Sequence, residues 1–434
     1  MKLWEKETSN TTAKTEQFTV GRDREFDLLL ARYDVLGSLA HTAMLKSVGL
    51  LSEAAYDAVR AGLEAILAEI EQGSFAIDDA VEDIHSQIEL LLTERIGEDG
   101  KRIHSGRSRN DQVAVDIKLY LRDALKAITR QAGELITLLL ALSNQHKAVL
   151  MPGYTHLQIA MPSSFGLWFG AYAECLTEDL EMLAGAYAVV NKNPLGSGAG
   201  YGSSLPLDRA QTTRALGFGS LHYNAIAAQM SRGRAEKMVA MGISCIGATL
   251  ARMAMDICLY NSQNFGFIRF PESLTTGSSI MPHKKNPDIF ELIRGKCNRL
   301  QALPNELSLL LTNLPSGYHR ELQLTKEILF PGIQVLHDCM DMLLTTLPHA
   351  ELNEHILDDP KYQYLFSVEA VNKLVNEGVP FRDAYRQVGK TIADGNFQYE
   401  GFEIAQHTHE GSIGNLCNDE INAQWLQVAR KLDL

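Results

Sequence analysis

Several features that mark other protein classes are scarce in this chain of 434 residues. Its six cysteines are far apart and follow no zinc or redox spacing, so we expect them to be reduced. Lysine and arginine number 40 against 53 aspartate and glutamate residues, which gives a formal net charge of −13. This balance argues against a general surface for nucleic acid or anionic membranes. It still permits a local basic pocket for an anionic substrate.

Long apolar segments are also missing from the sequence. No apolar run reaches the roughly 18 residues of a transmembrane helix. The N-terminus, Met-Lys-Leu-Trp-Glu-Lys, is charged and lacks the apolar region of a signal peptide. With 45% hydrophobic and 21% charged residues, the composition is that of a soluble globular protein. We expect a cytoplasmic protein, and the length predicts two or three domains.

The sequence is rich in helical patterns. The segment 113–150 contains no proline and one glycine, and it is dominated by residues that favour helices. The stretches 135–142 and 238–255 are apolar on most sides, and such helices must be buried on most sides. Contacts with another subunit can bury the apolar sides that the chain itself leaves exposed, so we expect a homo-oligomer. Further helices are predicted near 165–190, 234–260, 290–314 and 326–347.

Glycine and proline mark the breaks between these regions. Residues 97–100, Gly-Glu-Asp-Gly, separate an N-terminal helical region from the central one, and 352–360 opens a small C-terminal region. The glycine-rich segment 196–200 follows no predicted buried strand. A tight loop, where helices or subunits approach closely, therefore explains it better than a nucleotide-phosphate site does.

The segment Gly277–Pro287, Gly-Ser-Ser-Ile-Met-Pro-His-Lys-Lys-Asn-Pro, carries the densest set of reactive side chains. Its glycine and prolines disfavour a regular helix, so a polar loop between two helices is predicted. Polar groups at this density on a loop are more often functional than structural. From composition alone, a solvated surface turn is the alternative.

Three segments together carry a resemblance to a known family. Gly277–Pro287 resembles the signature loop of the fumarate-releasing lyases, which include fumarase, aspartase, adenylosuccinate lyase and argininosuccinate lyase. The segment 104–112, His-Ser-Gly-Arg-Ser-Arg-Asn-Asp-Gln, is similar to a motif of the argininosuccinate lyases. The segment 153–158, Gly-Tyr-Thr-His-Leu-Gln, resembles the family's catalytic histidine segment. Shorter matches follow the same order along the chain, at 82–85, 195–199 and 322–327.

The resemblance implies an all-α, three-domain fumarase/aspartase-like fold with a central bundle of long helices and a tetrameric helical core. The domains would be residues 1–106, 107–352 (with the signature loop at 277–291) and 353–434. The implied reaction is the reversible β-elimination of argininosuccinate to L-arginine and fumarate, in arginine biosynthesis. It needs no metal or organic cofactor, because the carboxylate beside the reacting carbon can delocalise the developing charge. Three subunits would contribute to each active site.

Ser278 matches the first serine of the loop, and the resemblance makes it the general base. An unperturbed hydroxyl is a very weak base, so cationic neighbours or backbone amides must activate it. Lys284 is near enough in sequence to help. The alternative is that Ser278 only hydrogen-bonds its own loop.

A histidine shuttles protons at physiological pH, although a lone histidine is more often a structural hydrogen-bonder. The resemblance makes His156 the general acid, and it makes Glu291 the carboxylate that orients this histidine. His85 matches a further histidine of the family's active site.

The resemblance also implies which residues bind the substrate. A planar guanidinium can hold a carboxylate with two hydrogen bonds, and an asparagine adds a further donor. Asp23 stands where the family usually carries a substrate-contacting Asn-and-Ser segment, and it could take over that contact. The other positions that match substrate-binding residues are Arg109, Asn110, Thr155, Ser279, Asn286, Tyr318, Gln323 and Lys326.

The sequence departs from the family pattern at several places, including Ile159 and Met161, which replace polar residues after His156. The N-terminal segment 2–7 lacks the usual Trp-Gly-Gly-Arg-Phe element. Val20–Asp23 replaces the Asn-and-Ser segment, and Ser231–Arg234, Ser-Arg-Gly-Arg, replaces a Ser-x-Arg-Asp. His283 replaces a more usual glutamine and is similar to adenylosuccinate lyase. These changes leave the residues of the elimination intact and put the details of the substrate in doubt.

Three alternatives remain beside argininosuccinate lyase. One is a sister enzyme, chiefly adenylosuccinate lyase, which His283 favours but which would need nucleotide-phosphate contacts that the sequence does not offer. Another is a lyase for a modified argininosuccinate. The third is a structural relative with weakened activity, against which the retention of Ser278, His156, Lys284 and Asn286 argues.

Overall fold

The computed structural model describes residues 13–78 and 80–434 of the chain. The departure at Lys2–Glu7 lies outside these described residues. The fold class is all-α, as predicted. The α-helices of the described residues are α1 Ala13–Val20, α2 Asp23–Asp27, α3 Ala31–Ser47, α4 Glu53–Glu71, α5 Ile84–Ile96, α6 Arg109–Gln145, α7 Phe165–Val190, α8 Arg209–Ala215, α9 Ala225–Met230, α10 Arg234–Asn261, α11 Asp288–Leu300, α12 Leu303–Leu310, α13 Leu324–Thr346, α14 Ser367–Asn376, α15 Phe381–Ala393 and α16 Asn418–Arg430.

Short 3₁₀ segments and three two-stranded sheets connect these helices. The strands pair as β1–β2 (antiparallel), β3–β4 (parallel) and β5–β6 (antiparallel). Their bounds are β1 Leu150–Thr155, β2 Gln158–Ser164, β3 Lys192–Asn193, β4 Ser220–Leu221, β5 Ile268–Arg269 and β6 Glu351–Leu352. The 3₁₀ segments are Leu28–Leu30, Gly97–His104, Glu272–Leu274, Arg320–Gln323, Leu347–His349, Ile356–Asp358, Pro360–Tyr362 and Ile404–Gln406.

The chain forms two compact units, each assembled from three stretches of sequence. Unit 1 comprises Met1–Ile128, Met182–Cys245 and Arg299–Leu336, and unit 2 comprises Thr129–Glu181, Ile246–Asn298 and His337–Leu434. Neither unit coincides with one of the three domains predicted from the sequence, whose boundaries stay a prediction.

Four of the five long helices lie close to the predicted positions. The longest, α6, has 37 residues and is roughly 55 Å long at 1.5 Å per residue. The predicted helix 290–314 is wrong in its continuity: the structure has α11 and α12 there, separated at Gln301 and Ala302. Pro304 lies in the first turn of α12. Since proline has no backbone N–H to donate, it suits the start of a helix and disfavours its interior.

Side-chain caps fix where several helices begin. Ser52 accepts a hydrogen bond from the Ala55 N–H at the start of α4, and Asp83 accepts one from the Ser86 N–H, at 2.8 Å, at the start of α5. Gly97, with a φ of 69°, ends α5 in a conformation that favours glycine. Because α5 begins at Asp83, His85 occupies its first turn.

Each unit has its own hydrophobic core. In unit 1, helices α3, α4 and α5 bury an aliphatic cluster that includes Val35, Leu63 and Ile88. In unit 2, aromatic rings pack edge to face around Trp168, whose indole N–H donates to Asp256. Aliphatic residues at helical spacing explain the first cluster.

The segment Ala225–Asn261 is apolar and long enough to cross a membrane by composition, and 56% of its most apolar window is buried inside the protein. A mostly buried helix of this kind is what the core of a soluble protein contains.

The glycine-rich segment 196–200 is a tight loop held by one carboxylate, as its glycines predicted. Asp111 Oδ2 accepts hydrogen bonds from the backbone N–H groups of Gly196 (2.9 Å) and Gly198 (3.0 Å). Both glycines have positive φ, which a side chain would strain. Asp111 also accepts from the Ser108 N–H and so fixes the turn before α6.

Candidate active site

Unit 1 contains a polar cavity of about 210 Å³. It collects residues from five separate parts of the sequence, and seven of them were predicted as site residues. The lining residues are Val20, Asp23, Asp27, Glu82, Asp83, His85, Arg109, Asn110, Val113, Arg232, Tyr318, Arg320, Gln323 and Lys326.

Arg109 is held at the start of α6 by the acidic residues that precede α5. Its Nη1 lies 2.9 Å from Asp83 Oδ2 and 3.6 Å from Glu82 Oε2, and its Nη2 donates to Ser86 Oγ. Burial alone would raise the pKa of Asp83, but the charges of His85 and Arg109 bring it below its ordinary value. Asp83 is therefore ionised at neutral pH, and it both caps α5 and orients the guanidinium.

Lys326 is a buried ammonium group between two carboxylates. Its Nζ lies 2.6 Å from Asp23 Oδ1 and 2.5 Å from Asp27 Oδ1, and its side chain is 2% exposed. Burial works to lower the pKa of Lys326, while Asp27 and Asp23 raise it above its ordinary value. The lysine is thus charged, which is how a buried ammonium group is tolerated.

The C-terminal end of α1 positions two further side chains of the cavity. The backbone carbonyl of Thr19 accepts hydrogen bonds from Gln323 Nε2 and Arg320 Nη2, each at 3.0 Å. Arg320 also lies 2.9 Å from Glu82 Oε1. The N-terminal segment thereby contributes to the cavity although its sequence departs from the family pattern.

His85 belongs to a buried hydrogen-bonded network behind the cavity. Its Nδ1 donates to Asp34, which also accepts from Gln112 Nε2 at 2.9 Å. Burial works to lower the pKa of His85, but Asp34 raises it above the ordinary value. Asp34 therefore favours the imidazolium form of His85 and fixes the ring through its Nδ1, and the ring lines the cavity.

Asp116 adds a third group to this network, 3.6 Å from His85 Nδ1. Burial and the charge of Asp34 raise its pKa well above the ordinary value, so the carboxyl group is neutral. The spacing of Asp34, His85 and Asp116 could suit a metal ion. However, the buried guanidinium of Arg107 lies near both carboxyl groups and supplies a positive charge opposite Asp34. The hydrogen bonds of Asp34 with His85 and Gln112 account for two of the three residues without a metal ion.

His156 lies at the tip of the β1–β2 hairpin in unit 2. Thr155 pairs with Gln158, so His156 and Leu157 form a two-residue turn, and both have positive φ (56° and 57°). Such turns favour glycine and asparagine, and non-glycine residues in this conformation are strained. The turn presents the imidazole to solvent, and Leu157 is 80% exposed.

The signature loop of unit 2 is closed by backbone hydrogen bonds between Thr276 and Asn286, at 2.8 and 3.2 Å. Ser278 Oγ accepts from the backbone N–H groups of Ile280 (3.4 Å) and Met281 (3.2 Å). Both hydrogen bonds lie within the loop, so they fit the predicted activation of Ser278 by backbone amides and also the alternative that Ser278 only hydrogen-bonds its own loop. Ser279, Lys284 and Glu291 are exposed, and Glu291 lies in the first turn of α11.

The predicted site residues thus fall into two groups. Those of unit 1 line one cavity: Asp23, His85, Arg109, Asn110, Tyr318, Gln323 and Lys326. Those of unit 2 lie on the hairpin and the signature loop: Thr155, His156, Ser278, Ser279, Lys284, Asn286 and Glu291. Within the part of the chain that the structure describes, no hydrogen bond or ion pair joins His156 to Glu291, or Ser278 to Lys284.

Sequence reasoning missed several residues of the cavity. Asp27 lies one helical turn after Asp23, and this i, i+4 spacing of two acids could have identified it. Glu82 and Asp83 stand inside a segment already matched to the family. Arg232 lies in a segment noted only as a departure, and no local signal reveals that it is buried.

Residues 5–302 match a family model described as Lyase. The chain is 56% identical over 427 residues to the argininosuccinate lyase of Bacteroides thetaiotaomicron, covering 98% of this chain and 95% of the relative. It is 38% identical over 433 residues to the argininosuccinate lyase of Sorangium cellulosum, covering 100% and 99%.

Two solved structures have a similar fold. EDDS lyase in complex with formate superposes with a TM-score of 0.76 at 20% identity, covering 98% of this chain and 91% of the other. Class II fumarase from Schistosoma mansoni gives a TM-score of 0.72 at 15% identity, covering 88% and 91%. At these identities the likeness concerns the helical fold alone.

Proposed function

The chain belongs to the argininosuccinate lyases, carbon–nitrogen lyases of the fumarase/aspartase superfamily, and we propose how its residues carry out the cleavage of argininosuccinate to L-arginine and fumarate. The observation that carries the proposal is the cavity of unit 1, because His85, Arg109 and Lys326 from three separate motifs line it together. A cavity with four arginine or lysine side chains, one histidine and four acidic side chains suits a substrate that bears carboxylate, ammonium and guanidinium groups.

The elimination requires three movements of charge. A base removes a proton from the carbon beside a carboxylate of the succinyl group, and that carboxylate takes up the electron pair as an aci-carboxylate. The electrons then form the carbon–carbon double bond of fumarate while the carbon–nitrogen bond breaks. An acid protonates the departing guanidino nitrogen.

We assign the base to Ser278 and the acid to His156, with Glu291 orienting the histidine. The backbone N–H groups of Ile280 and Met281, which hydrogen-bond Ser278 Oγ, support this role because they favour a developing alkoxide. Lys284, Asn286, Thr155 and Ser279 would surround the succinyl carboxylates, together with Arg109 and Asn110.

His85 supplies a fixed positive charge rather than a mobile proton. Its Nδ1 is engaged by Asp34, and the imidazolium lines the cavity. Such a cation stabilises the dianionic intermediate without reorganisation at the moment of reaction. Tyr318, Gln323 and Lys326 would contact the arginine half of the substrate.

We infer a homotetramer in which several subunits complete each site. The exposed hairpin tip and signature loop support this, since the acid and the base both lie on projecting segments of unit 2. The helical fold and composition also support a soluble protein, for which we propose a cytoplasmic role in arginine biosynthesis.

The direct test is fumarate release, followed by ultraviolet absorbance, with argininosuccinate and adenylosuccinate offered separately. We expect release from argininosuccinate alone, with arginine as the co-product. Release from adenylosuccinate alone, or from neither substrate by the folded oligomer, would contradict the proposal.

Ser278→Ala tests the assigned base. We expect turnover to fall by at least about 10³-fold, because the base is removed, with an unchanged oligomer and thermal midpoint. Ser273→Ala, at an exposed position before the loop, is the matched control and should keep wild-type turnover. Near-wild-type turnover in Ser278→Ala would eliminate the assigned role.

A further inference from the structure

Two departures from the family pattern meet on the wall of one cavity. Asp23 belongs to the altered N-terminal segment, and Arg232 belongs to the altered Ser231–Arg234 segment. Although more than 200 positions separate them in sequence, both line the cavity of unit 1. A pair of remote changes at one site suggests that they act together.

Arg232 is a buried guanidinium with part of its hydrogen-bonding capacity unused. It is 4% exposed, its Nε lies 3.2 Å from Glu236 Oε1, and its Nη2 donates to the Leu322 carbonyl at 3.0 Å. Its Nη1 has no hydrogen-bond partner, and among the described residues that line the cavity it is the one buried side-chain polar atom in this condition. An unmet buried donor is costly unless a ligand satisfies it.

The anchoring of Arg232 fixes the direction of the remaining donor. Glu236 lies in the first turn of α10, and Leu322 lies in the 3₁₀ segment before α13, so two elements hold the guanidinium plane. A guanidinium anchored in this way is pre-organised to bind a carboxylate, whereas a lysine would offer a flexible point charge.

Asp23 supplies the opposite charge beside this donor. Its carboxylate contacts Lys326 Nζ at 2.6 Å and keeps 18% of its side chain exposed. Burial raises the pKa of Asp23 above its ordinary value, while the charge of Lys326 and, to a smaller extent, that of Arg232 oppose this shift and favour the carboxylate. The wall therefore presents a carboxylate and an unsatisfied guanidinium N–H close together, which is the complement of an α-amino acid zwitterion.

We propose that Arg232 Nη1 donates to the α-carboxylate of the arginine half of the substrate while Asp23 accepts from its α-ammonium group. This inference rests on the proposed function and assigns two specificity-determining residues to it. The consequence is selectivity for a free α-amino acid end: a substrate with an acylated α-nitrogen loses the contact with Asp23. A substrate without the α-carboxylate leaves Arg232 Nη1 without a hydrogen-bond acceptor.

The test compares three substrates on the intact enzyme. They are argininosuccinate, its Nα-acetyl derivative, and the derivative built on agmatine, which lacks the α-carboxylate. We expect the wild-type kcat/KM to fall by roughly 10- to 100-fold for each derivative, the usual scale for losing one charge-assisted hydrogen bond.

Variants then assign each contact to its residue. Arg232→Met should lose roughly 10- to 100-fold in kcat/KM with argininosuccinate, mainly through KM, and change little with the agmatine derivative. In Asp23→Asn, kcat/KM should fall most for argininosuccinate and least for the Nα-acetyl derivative. Arg232→Lys should recover part of the loss. Arg234→Met, at an exposed position two residues away, is the matched control and should discriminate like the wild type.

The outcomes separate this inference from the proposed function. Fumarate release from argininosuccinate by the wild type tests the function alone. If that release occurs but the wild type uses all three substrates equally well, the inference is overturned. It is also overturned if Arg232→Met lowers kcat/KM equally for all three, since that indicates a structural role. The wild-type comparison stays decisive if Arg232→Met does not fold.

Discussion

Buried lysines in unit 1 differ in whether carboxylates neutralise their charge. Lys326 lies between two carboxylates, whereas Lys118 donates only to the Lys192 carbonyl, at 3.1 Å, and is 2% exposed. Burial lowers the pKa of Lys118 to about 7, although Glu236 opposes this shift. The ammonium form of Lys118 is therefore disfavoured in the folded protein.

Lys118→Met should stabilise the protein, and more so at low pH. Between pH 7 and about 10.5 the unfolded chain binds a proton that the folded chain does not, so the cost of Lys118 shrinks as the pH rises. We expect the gain to be about 1–3 kcal/mol larger at pH 6 than at pH 9. Thermal midpoints at both pH values measure this. A pH-independent effect, like that expected for the exposed control Lys101→Met, would refute the assigned cost.

Asp34→Asn should move the activity of the enzyme to lower pH. Burial works to lower the pKa of His85, and Asp34 is the main group that raises it above the ordinary value, so removing Asp34 should lower this pKa although Asp83 and Asp27 still raise it. Because the proposed mechanism uses the imidazolium form of His85, the alkaline fall in kcat/KM should begin at a lower pH in the variant. Asp123→Asn, on the same unit and outside the cavity, should leave the pH profile unchanged. The charged or titratable groups that face His85 are Asp34, Asp116, Asp83, Asp27 and His104.

The same shift affects stability with a defined sign. Since the folded pKa of His85 is raised, its contribution is complete below about 6.5 and is lost as the pH rises through the raised value. The thermal midpoint of the wild type should fall over that interval. Asp34→Asn should not show this fall, and an identical fall in both proteins would argue against the ion pair.

At the scale of single residues, the sequence predicted which residues line the site better than it predicted their ion-pair partners. Lys326 and Arg109 were predicted from matched motifs, but their partners Asp27 and Asp83 were not. Charge pairing across the fold depends on which backbone segments meet, and no local pattern carries that information. Arg232 was missed for the same reason.

Helices were predicted more reliably than strands. The predicted segment 165–190 coincides with α7, because these 26 residues contain no proline and are rich in residues that favour helices. The hairpin β1–β2 was not predicted, since its turn residues His156 and Leu157 are unusual in that conformation. Pro304 was the signal that should have divided the helix predicted at 290–314.

Gly133→Ala should destabilise unit 2 although alanine favours helices. A Cβ at Gly133 in α6 would lie 2.3 Å from ring atoms of Trp425 in α16, so the ring must move. We expect a net loss of about 1–3 kcal/mol, against a propensity gain of about 1 kcal/mol. The thermal midpoint measures this. In Gly389→Ala, where a Cβ would have no neighbour within 4 Å, the midpoint should rise slightly. A higher thermal midpoint in Gly133→Ala would contradict the prediction, because it would mean that the Trp425 ring can move away without cost.

At the scale of the whole molecule, large apolar side chains are exposed on several helices, and they include Met182, Met255, Leu292 and Leu309. Light scattering should therefore give about four times the 48.0 kDa chain mass. Leu309→Glu should dissociate the oligomer and reduce turnover together, whereas Glu306→Gln on the same helix should do neither. A fully active monomer would contradict the shared-site proposal.

Asp83 performs two tasks with one carboxylate, capping α5 and orienting Arg109. Selection for folding and selection for turnover therefore act on the same atoms. Replacement by asparagine would keep the cap and discard the ion pair, while replacement by glutamate would move both. Few substitutions at Asp83 would therefore preserve both the helix cap and the ion pair. Exchange there would require a prior compensating change at Arg109 or Ser86, so the order of mutations would decide which lineages of this enzyme were accessible.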